Sequence, residues 1–467
     1  MHEWLKRDLS KILAGLASSE ISAVELMQAT LSRIEQTQPS LNAFTLVRDE
    51  ASLLADAREA DLRRSRGDGR ALEGVPVGIK DLEDVEGLVT SQGSVPFRDS
   101  VAGRDSIQVE RLRAAGAIVV GKTNTPEFGY TAITKNLLFG VSRNPWDLER
   151  TPGGSSGGSS AAIAGGVIPM ATASDGGGSI RIPASVTGCF GLKTSWGRIP
   201  NGPHALWTMD DTGVWGPLTR SVADAALHLD VVAGAHPLDP NSLPRVDFSF
   251  VDVLDSLPSG IRAGFSPDLG YAVVQSDVAT VVEKAVGLFP ELGISVEPLP
   301  GGPPEPGGDW GFSGSWEMLS RLHPLLPEHE EEFGRSFIRG VQAANQMTPE
   351  RWGQMRRRRA ELNLWSAEVF DRFDILLTPT VPYDPPSASG PFAREIEGRK
   401  QPMANYGSFT MPFNLSWHPA ATVRAGFSDQ KLPVGLQIVG PRHRDDLVLQ
   451  VARAFEKATD CFRSWPE

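Results

Sequence analysis

The sequence predicts an α/β fold in which helices cover both faces of a β-sheet. Short β-branched runs such as "AIVVGK", "ILLTPT", "AATV" and "PVGLQIVG" alternate with helical stretches. Apolar runs of this kind are typical of strands that are buried on both faces. With 467 residues, of which 40% are hydrophobic and 22% charged, the chain can bury a large core.

Two helices are placed by their start signals. Ser22 and Glu25 have the spacing of a capping box, and one helical face follows with Val24, Met27, Leu31 and Ile34. Near the end of the chain, Asp445 and Asp446 follow the strand-like run "VGLQIVG". They predict the start of a helix with an apolar side formed by Leu447, Val448, Val451 and Phe455.

The main interruption of this pattern is the Pro/Gly-rich segment "PLPGGPPEPGGDW" at residues 298–310. It could be a linker between domains. We interpret it as a long surface loop, because strand-like segments resume near residue 375 and would be needed to complete the same sheet. Residues 311–372 read as helical, and the four arginines at 356–359 predict a solvated helix face.

Composition limits the partners and the location of the protein. A formal net charge of −12 gives no general attraction to nucleic acid or to anionic lipid. Two cysteines, Cys189 and Cys461, are too few for a disulfide framework, and the eight histidines lack metal-ligand spacing. The chain also has no signal-peptide core and no long apolar run. We therefore expect a cytoplasmic protein without a metal or cofactor, and without nucleic-acid or membrane partners.

Two motif matches do not fit their context. "GAIVVGKT", residues 116–123, satisfies the phosphate-loop pattern, but its β-branched centre resembles a strand rather than a loop. "GGSSG", residues 153–157, satisfies the nucleophile-elbow pattern, which requires a preceding buried strand. The polar, proline-containing run "RNPWDLERTP" precedes it instead. Both matches are predicted to be accidental.

Two Gly/Ser segments predict an ordered site. These are "TPGGSSGGSS" at residues 151–160 and "SDGGGSIRIPA" at residues 174–184. Flexible linkers would have polar flanks, whereas the residues between these segments are apolar. Three consecutive glycines let successive N–H groups turn toward one point, and Pro183 suits the first turn of a following helix. Such a loop can stabilise a negative charge.

A serine near such a loop needs a base to act as a nucleophile, and none of the histidines is an obvious candidate. Lys80 ends the apolar run "VPVGI", where a predicted strand leaves the sheet. Burial would lower the pKa of its amine toward neutrality. The neighbouring Asp81 would favour the charged amine, so we predict that the Asp81 side chain points away from Lys80 and binds backbone amides or caps a helix.

Six motifs in order give the sequence a close resemblance to the amidase signature family: "GVPVGIKD", "GKTNTPEFG", "RNPWDLERTPGGSSGGSSAA", "SDGGGSIRIPASVTGCFGLK", "GPLTRSVADAA" and "LPVGLQIVGP". The resemblance spans about residues 10–460 and is weakest at about 240–370. It implies a single domain over residues 1–467, built as an α/β/α sandwich around a large mixed sheet. It also implies a catalytic triad of Lys80, Ser155 and Ser179, with a cis peptide bond between Gly154 and Ser155.

The resemblance further implies an amidase that cleaves a carboxylic amide through an acyl-enzyme on Ser179, with Ser155 and neutral Lys80 relaying the proton. The amides of Gly176, Gly177, Gly178 and Ser179 would hold the oxyanion. Four further side chains are expected to support the site: Ser156 and Ser174 as nearby hydroxyls, and Asp175 paired with Arg181.

The sequence departs from the commonest family pattern at Thr194 and Trp196, and again at Trp417 and His418. Four residues suggest a pocket for a small apolar or aryl amide, namely Trp207, Met209, Phe409 and Trp417, although they would also suit an ordinary core. A second base at His418 is not expected. Ester and hydrazide substrates stay open, and the family permits a homodimer.

Two other functions remain as alternatives. The first is an amidotransferase A-type subunit that releases ammonia from glutamine for a partner complex. Against it, "TMDDTGVWGP" stands where the family's amidotransferases carry a stretch like "SSLDQ". The second is a catalytically silent binding protein with the same fold, against which all three triad positions are present.

Overall fold

An eleven-stranded mixed sheet forms the centre of the protein in the part of the chain that the computed structural model describes, residues 2–203, 211–401, 405–459 and 464–466. The described chain has fifteen strands, and eleven of them form this sheet. In chain order they are β1 (Phe44–Val47), β2 (Pro76–Lys80), β3 (Ile118–Thr123), β4 (Lys135–Asn136), β5 (Gly140–Val141), β6 (Met170–Asp175), β7 (Phe190–Lys193), β8 (Val214–Thr219), β9 (Arg262–Phe265), β10 (Ser295–Pro298), β11 (Ile375–Pro379), β12 (Glu395–Ile396), β13 (Arg399–Lys400), β14 (Ala420–Phe427) and β15 (Pro433–Val439).

The helices are α1 (Leu9–Ser18), α2 (Ala23–Leu41), α3 (Glu50–Ser65), α4 (Ile107–Ala114), α5 (Gly157–Ala164), α6 (Arg181–Thr187), α7 (Val222–Val232), α8 (Phe250–Val253), α9 (Ser276–Val286), α10 (Gly307–Leu322), α11 (Leu326–His329), α12 (Arg335–Ala343), α13 (Pro349–Arg372), α14 (Met411–Leu415) and α15 (Asp445–Ala458). They flank the sheet. The predicted α/β/α sandwich around a large mixed sheet is confirmed.

The sheet has the strand order β1-β3-β2-β6-β8-β7-β14-β15-β11-β9-β10. Strand β2 is parallel to both of its neighbours, β3 and β6, whereas β6 is antiparallel to β8. Strands β4 and β5, and likewise β12 and β13, form separate two-stranded sheets. The β-branched runs that predicted strands form β2, β3, β11, β14 and β15, and the central strands β2, β3, β6 and β15 are buried along their whole length.

Both predicted helix starts are confirmed. At the start of α2 the Glu25 amide donates to Ser22 Oγ at 3.1 Å, and the Ser22 amide donates to Glu25 Oε2 at 2.8 Å. The two bonds form the expected capping box. Helix α15 begins at Asp445, and its apolar side, Leu447, Val448, Val451 and Phe455, is buried.

The Pro/Gly-rich segment is shorter as a loop than predicted. Strand β10 ends at Pro298 and α10 already begins at Gly307, so the helix includes the end of the predicted loop. Glycine and proline are tolerated at a helix start, where the first N–H groups need no partner within the helix. Strands before and after this segment, β9, β10 and β11, pair in one sheet. The single domain remains a prediction, which this shared sheet supports.

The predicted solvated face at residues 356–359 is correct for Arg356, Arg357 and Arg358, which are exposed, and wrong for Arg359. Arg359 Nε donates to the Leu415 carbonyl at 2.8 Å, and its guanidinium pairs with Asp211. The Arg358 guanidinium pairs with Asp309 of α10. These contacts attach α13 to its neighbours, so the charge pattern of the sequence did not reveal which side of the helix is packed.

None of the helices within the described ranges combines the length and the apolar character needed to cross a bilayer.

Candidate active site

The register of two parallel strands positions Lys80 beside Ser174. Strands β2 and β6 are neighbours in parallel, so their carboxyl ends meet at one edge of the sheet. Lys80 is the last residue of β2, and its amide donates to the Thr172 hydroxyl at 3.0 Å. Its Nζ donates to Ser174 Oγ, near the end of β6, at 2.9 Å. The lysine side chain is therefore fixed under the first residues of the glycine loop.

The first Gly/Ser segment brings Ser155 to the same amine. The Gly154–Ser155 peptide bond is cis, as the resemblance implies, and α5 begins two residues later at Gly157. Lys80 Nζ donates to Ser155 Oγ at 2.7 Å, and both side chains are buried. No strand precedes Ser155 directly, which agrees with the rejection of the nucleophile-elbow match.

Ser179 shares a cavity with Ser155. It lies between β6 and α6, is partly exposed, and lines a cavity whose empty space, together with its opening to solvent, is about 370 Å³. The other described residues of the lining are Leu82, Phe128, Gly129, Ser155, Ser174, Gly176, Gly177, Gly213 and Trp310. The Ser179 hydroxyl has no hydrogen-bond partner among the described residues, so it is open toward the cavity. The structure thus brings the three predicted triad residues to one place.

Burial lowers the pKa of the Lys80 amine to about 7, although the charges of Asp175 and Glu83 oppose that shift. The adjoining Asp81 points elsewhere, as predicted: it accepts the Ser91 amide at 3.2 Å and lies 3.3 Å from Lys122 Nζ. Lys122 is the lysine of the phosphate-loop match. It belongs to strand β3, so this match is accidental.

Asp175 and Arg181 form a buried ion pair below the glycine loop. Arg181 Nη2 donates to Asp175 Oδ1 at 2.9 Å, and Arg181 Nε donates to Oδ2 at 3.0 Å. Burial alone would raise the pKa of Asp175, but the charge and hydrogen bonds of Arg181 hold it well below its usual value. Asp175 Oδ1 also accepts the Gly178 amide at 2.7 Å. The predicted pairing is confirmed, and it holds both ends of the loop.

The hydrogen bond from the Gly178 amide to Asp175 corrects one part of the predicted oxyanion hole. Because Asp175 already holds the Gly178 N–H, that amide is not available to an oxyanion. Gly178 has φ of +134°, a backbone conformation that favours glycine. The amides of Gly176, Gly177 and Ser179 have no acceptor within the described ranges, so they are the available donors.

Three side chains that no sequence motif indicated fix successive carbonyls of this loop. Asn414 Nδ2 donates to the Asp175 carbonyl at 2.7 Å, Trp310 Nε1 to the Gly176 carbonyl at 2.7 Å, and Thr410 Oγ1 to the Gly177 carbonyl at 2.6 Å. The donors lie on α10 and at α14, more than 130 residues away along the chain. No local pattern indicated these contacts.

The remaining supporting residues lie as close as expected. Ser156 precedes α5, and the Ser174 amide donates to its hydroxyl at 3.4 Å. Ser174 itself contacts the Lys80 amine, so it is nearer the reacting groups than a supporting hydroxyl was expected to be.

Two of the four residues predicted for the substrate pocket, Phe409 and Trp417, do not line the described part of the Ser179 cavity. Trp207 and Met209 lie outside the described residues. Phe409 is fully buried in the core, and Trp417 stacks on Trp196 with ring centroids 4.6 Å apart. Neither lines the described walls of the Ser179 cavity, where the apolar side chains are instead Leu82, Phe128 and Trp310.

His418 is buried and stacks on Phe370 at 4.7 Å, away from the described cavity lining. Among the residues that the structure describes, no group of three or more His, Cys, Asp or Glu side chains could hold a metal ion.

An α/β/α fold with a buried lysine, two serines and a glycine loop at one sheet edge defines an amidase signature hydrolase. Residues 25–449 match the model of the amidase family, so the chain belongs to that family. It is an amidohydrolase, an enzyme that acts on amides.

Relatives of two kinds cover almost the whole chain. An acylamidase of Rhodococcus erythropolis is 36% identical over 97% of this chain and 95% of that protein. The glutamyl-tRNA(Gln) amidotransferase of Chromohalobacter salexigens has an A-type subunit that is 34% identical over 98% of this chain and 97% of that protein. The crystal structure of a bacterial aryl acylamidase of the amidase signature family superposes with a TM-score of 0.91 at 29% identity, covering 98% of both chains.

The buried ion pair gives a stability prediction. We expect Asp175→Asn to lower the free energy of unfolding by about 3–5 kcal/mol, because it leaves the Arg181 charge buried without its partner. The measurement is urea-induced unfolding followed by tryptophan fluorescence. Asp309→Asn, which removes the partner of the more exposed Arg358, is the control and should cost less than about 1 kcal/mol. Equal losses for both variants would contradict the prediction.

Proposed function

We propose that the protein hydrolyses the C–N bond of small apolar or aryl amides through an acyl-enzyme on Ser179, with Ser155 and Lys80 as the proton relay. The observation that carries this proposal is the buried amine of Lys80, whose pKa is lowered to about 7 and which contacts Ser155 Oγ at 2.7 Å. A neutral amine in that place can accept a proton at physiological pH.

In the acylation step, Ser179 Oγ attacks the amide carbonyl carbon. Its proton passes to Ser155 while the Ser155 proton passes to Lys80 Nζ, so that a tetrahedral intermediate and a charged lysine form together. The amides of Gly176, Gly177 and Ser179 are suited to hold the oxyanion. Asp175 is ionised beneath the loop and stabilises the positive charge on Lys80.

Collapse of the intermediate breaks the C–N bond and reverses the relay. The proton on Lys80 returns through Ser155 to the departing nitrogen, which leaves as a neutral amine and leaves Lys80 neutral again. Water then attacks the Ser179 ester along the same proton path and releases the carboxylic acid. Ser174 Oγ, 2.9 Å from Lys80 Nζ, holds the amine in place through both halves of the reaction.

The cavity wall supports a neutral, apolar substrate. The described lining combines Leu82, Phe128 and Trp310 with glycines and serines and contains no charged side chain. Aromatic and aliphatic walls favour aryl or aliphatic groups over charged ones. The names of the related acylamidase and aryl acylamidase agree with this choice.

The amidotransferase A-type subunit stays the second candidate, because the subunit from Chromohalobacter salexigens is 34% identical to this chain over nearly its full length. The silent binding protein is no longer a candidate, because the amidase family match and the acylamidase relatives indicate an amidohydrolase. The cytoplasmic location and the homodimer remain predictions that rest on the sequence alone.

The nucleophile is tested by substitution and by labelling. We expect Ser179→Ala to abolish labelling by a fluorophosphonate probe and to lower kcat on an anilide by at least about 10⁴-fold, because the attacking oxygen is lost. Intact-mass spectrometry of the labelled protein gives the readout. Ser320→Ala, an exposed hydroxyl on α10, is the matched control and should behave as the unmodified protein. Undiminished labelling of Ser179→Ala would show that Ser179 is not the nucleophile.

The pH dependence tests Lys80. Below its pKa of about 7 the amine is charged and cannot accept a proton, so kcat/KM should fall about tenfold per pH unit as the pH drops. Above that value kcat/KM should reach a plateau. Stopped assays on an anilide between pH 5 and 9 provide the profile, and Lys80→Ala should be nearly inactive throughout. A flat profile across this range would contradict the base role.

The two enzymatic functions are separated by the substrate of the isolated chain. We expect the purified protein, without any partner, to release aromatic amine from anilides much faster than ammonia from glutamine, because the described cavity lining is apolar. Parallel assays for amine and ammonia measure both. Glutamine cleavage that requires added partner proteins, with no anilide cleavage, would favour the amidotransferase.

A further inference from the structure

The indole of Trp310 connects the helical region of residues 307–322 to the glycine loop. We propose that Trp310 is a positioning residue for the oxyanion: its Nε1–H holds the Gly176 carbonyl, and this orients the Gly177 N–H toward the reacting carbonyl oxygen. The inference rests on the proposed acyl-enzyme at Ser179 and adds a residue outside the triad on which the transition state depends.

The orientation follows from the planarity of the peptide unit. The Gly176–Gly177 peptide is trans, since the cis bonds in the described chain lie elsewhere, so its C=O and N–H point to opposite sides. Trp310 Nε1 fixes the carbonyl at 2.7 Å, and Gly177 lines the cavity. The Gly177 N–H has no acceptor within the described ranges. One hydrogen bond therefore decides where this donor points.

The next peptide does not share this dependence. Thr410 Oγ1 holds the Gly177 carbonyl at 2.6 Å, and Asp175 Oδ1 holds the Gly178 N–H at 2.7 Å. That peptide is bonded at both ends, whereas the Gly176–Gly177 peptide is bonded among the described residues through Trp310 alone. Loss of the indole N–H would free this peptide to rotate and to turn its carbonyl toward a developing negative charge.

Close packing keeps the indole in place. A Cβ on Gly177 would lie 2.3 Å from Trp310 Cζ2, so the ring rests directly against the glycine backbone. The preceding residue, Asp309, pairs with Arg358 of α13, which ties this turn of α10 to its neighbour. Trp310 also lines the cavity, so the ring has two separable roles: a wall for substrate and a donor to the loop.

The test removes the donor and keeps a ring. We expect Trp310→Phe to lower kcat on an anilide about tenfold or more with KM changed less than about twofold, because removing a preorganised oxyanion donor acts on the transition state. A trifluoromethyl ketone, which forms a tetrahedral adduct on Ser179, should lose affinity by a similar factor. The affinity of the product carboxylate should not change. Trp316→Phe, an exposed tryptophan on the same helix, is the matched control.

Two results would overturn the proposal. One is an unchanged kcat, and the other is a rise in KM with equal losses of ketone and product affinity, which would show that the ring is only a wall. Trp310→His keeps a ring N–H and should retain more of kcat than Trp310→Phe. Should the Phe variant fail to fold, Trp310→Leu takes its place as the variant without a donor. A ketone-to-product affinity ratio that is lowered in Trp310→Leu and restored in Trp310→His supports positioning, and equal ratios in the two variants contradict it.

Both outcomes are distinct from failure of the proposed function. If the unmodified protein neither labels at Ser179 nor cleaves anilides, the acyl-enzyme itself is wrong. If it does both and Trp310→Phe equals it in kcat and in ketone affinity, only the role of Trp310 is wrong.

Discussion

The burial of one amine governs the organisation of this site. Lys80 is the last residue of the central strand β2 and has no exposed surface. Because the amine is desolvated, its pKa is lowered to about 7. Two serine hydroxyls accept its hydrogen bonds, so the amine is solvated by groups that can exchange protons with it. The surrounding sheet edge, glycine loop and helices bury this amine and place Ser179 in the same cavity as Ser155.

A second buried lysine shows that a low pKa is not sufficient. Burial lowers the pKa of Lys193 to about 7 as well, yet its Nζ donates to the neighbouring Thr194 carbonyl at 2.9 Å. Lys193 is not part of the described cavity lining, and no serine hydroxyl contacts it in the described chain. What distinguishes Lys80 is the position of its strand: β2 ends beside β6, where the glycine loop begins.

Asp175 organises the loop that faces Lys80. Its carboxylate binds the Arg181 guanidinium and the amides of Gly178 and Ile180, so the loop is closed around a fixed negative charge. Arg181 in turn donates to the Thr410 carbonyl, which connects the loop to α14. The backbone N–H groups that remain free are those of Gly176, Gly177 and Ser179 within the described ranges. Asp175 thus decides which amides of the loop remain available to the proposed oxyanion.

The sequence by itself determined the elements that local chemistry encodes. The β-branched runs, the capping box at Ser22 and the glycine loop before Ser179 are all read from neighbouring residues, and the family motifs implied Lys80, Ser155 and Ser179. Only the tertiary structure decided that the Gly178 amide is already bonded to Asp175 and that Phe409 belongs to the core. It also decided that Trp310 and Asn414 bind the carbonyls of the glycine loop. The Trp310 and Asn414 bonds join residues more than 130 positions apart in the chain, whereas the Gly178 bond is local. Local patterns record the conformation of the backbone, whereas the direction of an amide or a ring is set by the partner that packing brings to it.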